Sequence, residues 1–269
     1  MTAFPRAFAA MLRVNIANMI QYRAEILLWS FWGIINPTVL YVMWAAAAGG
    51  SADGTVAGLT RNGVATYYFS IMVVGHLTSA WDVYEMSYLV RKGALSPQLL
   101  RPILPMWNSV TNNMAYKITT LMFVLPMWTI FFLVVRPEFS TQPWQFLLAT
   151  AAVALGAILN YMMCYTVALI AFWATKLDAV GEIYFGMCMM LGGRVAPIDG
   201  LPPVVLEFAN ALPFRWMFAF PAELMSGLVH TPQEALAGLG IQAAWVVFVI
   251  VLFKVVWRAA IRRYSAVSG

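Results

Sequence analysis

The chain has 269 residues, 62% hydrophobic and only 10% charged, where a soluble domain is about a quarter charged. One soluble core cannot hide that much apolar surface, so the solvent around this chain is lipid. The net charge of +5 comes from cations spread along the sequence and not gathered in a soluble module, so it reads better as membrane topology than as nucleic-acid binding.

Residues 1–25 do not have the layout of a cleavable signal peptide, because Arg6, Arg13 and Arg23 are spread among Asn15, Asn18 and Gln21. Phe4, Phe8, Met11, Leu12, Ile16, Met19 and Ile20 fall on one half of a helical wheel, with Asn15 and Arg23 as exceptions on that half. This predicts an interfacial amphipathic helix lying on the membrane surface, against the simpler reading of a lead-in to the first span. Six apolar runs follow, near 26–48, 64–90, 116–135, 145–173, 179–196 and 238–258. They are continuously apolar and lack a period of two, so helices are expected and a barrel is not. Pro37 and Pro126 fall inside the first and third. The 49–63 connection, GGSADGTVAGLTRNG, is rich in Gly and reads as a plain flexible outer turn.

With the N-terminus in the cytoplasm, the inside receives Arg6, Arg13, Arg23, Arg91, Lys92, Arg101, Lys117, Lys176, Lys254, Arg258, Arg262 and Arg263. The outside keeps Arg61, Arg136, Arg194 and Arg215, a division of 12 against 4 among the 16 cations. The positive-inside rule therefore predicts both termini in the cytoplasm.

Two segments interrupt the apolar pattern. The first is RKGALSPQLLRP, Arg91 to Pro102. Gly93 ends the second span, Ser96 reads as an N-cap with Pro97 at the first helical position, and Pro102 and Pro105 stop the helix soon after Leu100. The result is a helix of one or two turns that presents Gln98, Leu99 and Arg101, flanked by Arg91 and Lys92: a docking knob where a tight connection would need none. The second, residues 192–237, carries five prolines and four glycines in GGRVAPIDGLPPVVLEFANALPFRWMFAFPAELMSG. Punctuated by Gly192, Gly193, Pro197, Gly200, Pro202, Pro203, Pro213, Pro221 and Gly227, and holding Glu223, it is too broken for one span and too apolar for a solvated loop. Two short helical pieces dipping into the membrane and turning back fit it, as does a lid packed on the bundle.

Chemistry-bearing motifs are few. There is no GxxxxGK[ST], HExxH or GxSxG. Cys164 and Cys188 lie in apolar runs, without zinc or redox spacing, and read as buried thiols. His76 is a lone intramembrane histidine, expected to bond a neighbouring helix. Asp82 and Glu85, three apart on one face of the second span, either pair with Arg13 or Arg23 or are solvated at the interface. Tryptophans 29, 32, 44, 107, 128, 144 and 257 read as interface anchors. A membrane-embedded lipid-modifying enzyme would need clustered His, Asp or Ser, and an ion-coupled carrier would want internal repeats and deep charges. These stay as the alternative readings, disfavoured because His76 and His230 lie far apart in sequence without such company, no repeat is found and deep charges are scarce.

The segment KGALSPQLLRP, the run PIDGLPP…LPF…FPAELMSG and the closing RRYSAVSG together resemble the membrane subunit of a type-2 ATP-binding-cassette (ABC) exporter, in the six-span bacterial permease group. The resemblance covers essentially the whole chain. It implies one all-α transmembrane domain over 1–269, with six spans, an interfacial helix over 1–25, a coupling helix within 91–105 gripped by an ATPase subunit, and a re-entrant outer segment over 197–237. It further implies a multi-pass protein of the bacterial inner membrane that works with two copies of a separate ATPase, where ATP and Mg²⁺ reside, and with a second permease copy or a sister permease. No cofactor or metal in this chain is expected. The cargo expected is amphiphilic or lipid-soluble.

Overall fold

The computed structural model describes residues 3–174 and 176–263; the YSAVSG end of the resemblance lies outside them. Helix α1 (Ala3–Gln21) meets α2 (Arg23–Gly50) at Tyr22, whose φ/ψ of −100°/32° is not helical. A two-stranded hairpin follows, β1 (Thr55–Val56) against β2 (Leu59–Thr60), then α3 (Arg61–Thr78), α4 (Asp82–Arg91), α5 (Ser96–Leu99), α6 (Pro105–Val135) and α7 (Pro143–Ala168). The rest comprises α8 (Asp178–Met190), α9 (Pro203–Ala211), α10 (Pro213–Met217), α11 (Ala219–Ser226) and α12 (Pro232–Arg263).

Four of these helices are long and apolar enough to cross a bilayer: α2, α6, α7 with the 3₁₀ turn that extends it to Phe172, and α12. The other two expected spans are built differently. The 64–90 run is not one helix; it stops at Thr78 and restarts at Asp82. The 179–196 run is helical only to Met190, 13 residues or about 20 Å, and then turns through Gly193 at φ +72°. The 49–63 segment is not a plain turn either. Ala57 and Gly58, both at positive φ, close the hairpin, and hydrogen bonds from Ser51 and Thr55 pull the Asp53 carboxyl down to about 2.

Prolines and glycines explain most of the punctuation. Pro105, Pro143, Pro203 and Pro213 occupy first turns, where the missing N–H costs nothing. Gly227 ends α11 in the left-handed region at φ +82°. The core joins α7 and α12 to the α10–α11 segment. Gly156 lies so close to α10 that a Cβ there would stand 2.7 Å from the Met217 carbonyl, and a Cβ at Gly238 would stand 2.2 Å from the Phe220 ring. Such small-residue contacts are how helices approach without water to drive them. Gln242, fully buried, donates to the carbonyls of Ala152 (2.7 Å) and Trp216 (2.8 Å) and ties the three elements together.

The connections gather at two ends of the bundle. At one end Asn62 bonds the Glu138 backbone in both directions, Thr141 donates to Met225 O, and Ala57 abuts Gly200. At the other, α1 lies along the start of α6, with Phe4 and Phe8 edge-on to Trp107. The centre of the packed face of α1 is Asn15, 8% exposed, which donates to Thr111 Oγ1 at 2.9 Å. That bond explains why a polar residue sits on the apolar half of the wheel.

Candidate functional site

The RKGALSPQLLRP segment sits at the α1 end of the bundle. Gly93, at φ +67°, takes the left-handed conformation that lets the chain leave α4. Leu95 is fully buried and is the point of attachment, its amide bonded to Leu89 O at 3.3 Å. Ser96 is not the N-cap expected: Leu95 holds that position with no side-chain bond, and Ser96 and Pro97 form the first turn of a four-residue helix. Pro105 does not stop this helix but starts α6. Gln98 and Leu99 are half-buried, whereas Arg91, Lys92, Pro97, Arg101 and Leu100 are exposed, Leu100 at 88%. An apolar peg thus holds a cationic turn against the bundle with its other face free.

Beneath this turn is a water-sized cavity lined in part by Asp82, Glu85, Gln98, Asn108, Ser109 and Tyr165. Asp82 accepts the Ser109 hydroxyl, and Glu85 accepts from Asn112 Nδ2 at 3.4 Å. The expected pairing with Arg13 or Arg23 is not made, and both arginines are exposed. The physical reason is that α1 turns its Asn15 face, not its arginines, toward α6, and α6 supplies the neutral donors. The Tyr165 hydroxyl is buried beside the cavity without a partner.

Above the cavity lies the interruption at Ser79–Trp81. A broken helix inside a membrane bundle must have its freed carbonyls satisfied by protein, and two asparagines do this. Asn160 Nδ2 donates to Thr78 O at 2.7 Å and Asn113 Nδ2 to Ser79 O at 3.0 Å. Asn160 Oδ1 in turn accepts the Tyr184 hydroxyl at 2.6 Å, so α3, α7 and α8 meet at one buried amide. His76 bonds the Lys117 carbonyl at 3.3 Å and lies edge-on to Trp128, as expected for a lone intramembrane histidine.

The proline-rich segment forms three short helices, not two, and packs on the bundle. The turn that leads into it is held by donors from α2 and α3: Tyr67 to Gly193 O (2.7 Å), Tyr68 to Val195 O (2.8 Å) and Trp44 Nε1 to Val195 O (2.9 Å). Trp44 is therefore a hydrogen-bond donor to this turn, beyond the anchor role expected. Gly192 is required because a Cβ there would stand 2.2 Å from Cys188 O, and Gly200 because its Cβ would stand 2.6 Å from that of Ala57. Pro197 is buried before a 3₁₀ turn, Pro202 precedes α9, and Pro213 and Pro221 are buried in α10 and α11. Glu223, 7% exposed, forms an ion pair with Arg215 at 3.0 Å, and Arg215 also bonds Asn210. Arg194 lies over the Phe218 ring, 5.1 Å from its centre.

Asn113, Asn160, Tyr184, Tyr67 and Tyr68 were not singled out by the sequence reading. The signal for Asn113 in the sequence is the polar run NSVTNN, Asn108 to Asn113, just before the apolar stretch of 116–135. Among the described residues no group of three or more His, Cys, Asp or Glu is arranged for a metal.

Comparison with curated proteins and with solved structures yields no match. The family model described as ABC-2 family transporter protein matches residues 34–268. That match begins within α2 and takes in the exposed turn, the satisfied break and the proline-rich segment. On that span, the chain belongs to the ABC-2 transporter family and is a multi-pass membrane subunit of an ABC transporter.

Proposed function

We propose that this subunit is the permease half of an ATP-driven exporter of amphiphilic or lipid-soluble substrates, levered by a separate ATPase through the α5 turn. ATP and Mg²⁺ reside on that ATPase, two copies of which serve a permease dimer made with a second copy of this chain or with a sister subunit. In this reading the chain crosses the bacterial inner membrane six times, with the α3–α4 pair and the short α8 as the second and fifth crossings, and the proline-rich segment re-enters from the outside. The grouping of the connections at two ends supports it. The end holding α1, α5 and the end of α12 also carries most of the cations, which the positive-inside rule assigns to the cytoplasm.

The observation that carries the proposal is the seat of the α5 turn. Leu95 is fully buried while Leu100, Arg91, Lys92 and Arg101 face outward, as a handle fixed at its root and open at its tip requires. The test is co-purification. The wild-type chain should retain an ABC ATPase, and Arg91→Glu, Lys92→Glu and Arg101→Glu together should release it and abolish the ATPase activity of the complex. Retention of the ATPase by the triple variant, or transport of substrate by this chain alone without ATP, would overturn the proposal.

A further inference from the structure

A groove of about 800 Å³ opens between α2, α3 and the last turns of α6, within the range of about 300–1,000 Å³ that small-molecule sites occupy. Its walls are apolar, with Phe31, Ile34 and Val42 on α2 and Met127, Ile130 and Val134 on α6; Thr38 and Tyr41 add two hydroxyl groups. Along α2 it extends from Phe31 to Val42, about 16 Å at 1.5 Å per residue. That is half of the roughly 30 Å hydrocarbon thickness, the depth of one leaflet. The groove ends at Arg61 and Asn62, where the chain emerges into the hairpin.

The two polar residues at the mouth differ. The Asn62 amide is used up, donating to Glu138 O at 2.9 Å and accepting from Glu138 N at 2.9 Å. Arg61 is exposed and forms no ion pair among the described residues; the nearby acid, Glu138, is exposed and forms none either. An apolar channel one leaflet deep, with an unpaired guanidinium at its interfacial end, matches a chain-bearing lipid whose head is an anion.

We propose that this groove is a binding site for one anionic glycerophospholipid, its acyl chain lying between α2 and α6 and its phosphate at Arg61. The site does not depend on the direction or cargo of transport. The chain would be purified in detergent, exposed to equimolar phosphatidylglycerol and phosphatidylcholine of identical acyl chains, and the retained lipid counted by native mass spectrometry. Wild type should favour phosphatidylglycerol about fivefold, the equivalent of about 1 kcal/mol for one interfacial cation. Arg61→Ala should bring the two lipids to parity, and Arg61→Lys should keep most of the preference. Val42→Trp, at a position 58% exposed, and Thr38→Trp should block the groove and lower retention of both lipids without changing the thermal unfolding midpoint. An unchanged preference in Arg61→Ala would overturn the proposal. So would unchanged lipid retention in the tryptophan variants, including the case where they shift the oligomeric state and show the groove to be a protein interface.

Discussion

Asn160 offers the sharpest test of how the bundle is held. It is 3% exposed in α7, donates to Thr78 O at 2.7 Å and accepts from Tyr184 at 2.6 Å. Asn160→Ala leaves the Thr78 carbonyl at the end of α3 without a partner and takes the 2.6 Å acceptor from the Tyr184 hydroxyl on α8, leaving it only the longer bond to the residue-160 backbone carbonyl at 3.3 Å. In a soluble interior each orphaned group costs about 1–3 kcal/mol, but interhelical hydrogen bonds measured in membranes average about 0.6 and reach about 1.7 kcal/mol. Two bonds therefore predict a loss of about 1–3 kcal/mol, read by SDS titration of the protein in mixed micelles with tryptophan fluorescence. Tyr184→Phe removes only one donor and should cost less. The double variant Asn160→Ala/Tyr184→Phe should cost less than the sum of the singles, because each single already removes the same Tyr184–Asn160 side-chain bond. Stability of Asn160→Ala within about 0.3 kcal/mol of wild type, or strict additivity in the cycle, would refute the assignment.

Two other substitutions probe the proline-rich segment and its seat. Arg215→Leu strands the buried Glu223 carboxylate and should destabilise by about 3 kcal/mol, at the low end for a broken buried pair because the Arg215 side chain is 19% exposed; Arg215→Leu/Glu223→Met should recover most of that loss in the same SDS titration. Gly156→Ala sets a methyl 2.7 Å from Met217 O and must part α7 from α10, costing about 1–3 kcal/mol. Gly33→Ala, where a Cβ meets nothing within 4 Å, should be neutral or stabilising by up to about 1 kcal/mol.

Hydropathy makes long helices legible, and α2, α6, α7 and α12 lie where the apolar runs are. It is blind to an interruption filled with apolar letters. The break in HLTSAWD at Ser79, Ala80 and Trp81 carries no proline or glycine, and what permits it is the supply of amides from Asn113 and Asn160, far away in sequence. The same blindness explains the fifth run. Residues 179–196 are apolar enough to be read as a span, but Gly192 and Gly193 let the chain turn where Tyr67, Tyr68 and Trp44 donate to the exposed backbone carbonyls. At Asp82 and Glu85 the sequence left open pairing with Arg13 or Arg23 and solvation at the interface, and the bonds they make are to Ser109 and Asn112. A charge rule sends acids to cations, yet the packed face of α1 is set by apolar periodicity with Asn15 at its centre, and the carboxylates were left to the polar start of α6. The exposed turn was legible because proline, glycine and charge all break the pattern together there.

These features share one mechanical consequence. Leu95 fixes the α5 turn to the end of α4, and α4 is separated from α3 by three residues without helical hydrogen bonds. A continuous helix would transmit a push on the turn along its axis to the far end of the bundle, at the cost of bending the whole rod. A rod interrupted at Ser79–Trp81 bends there first, because no i to i−4 bond has to be broken. The freed carbonyls of Thr78 and Ser79 are held by single side-chain amides on α7 and α6, which can follow small shifts that a backbone ladder cannot. Movement at α4 therefore reaches the break first, and Asn160, bonded to Thr78 at the end of α3, passes it to Tyr184 on α8, the helix whose end leads into the proline-rich segment. On this geometry Asn160→Ala should uncouple ATP hydrolysis from transport more than Asn113→Ala does, since Asn113 contacts the break but not α8; equal uncoupling by both, measured as substrate moved per ATP in reconstituted vesicles, would show that α8 is not reached by this route.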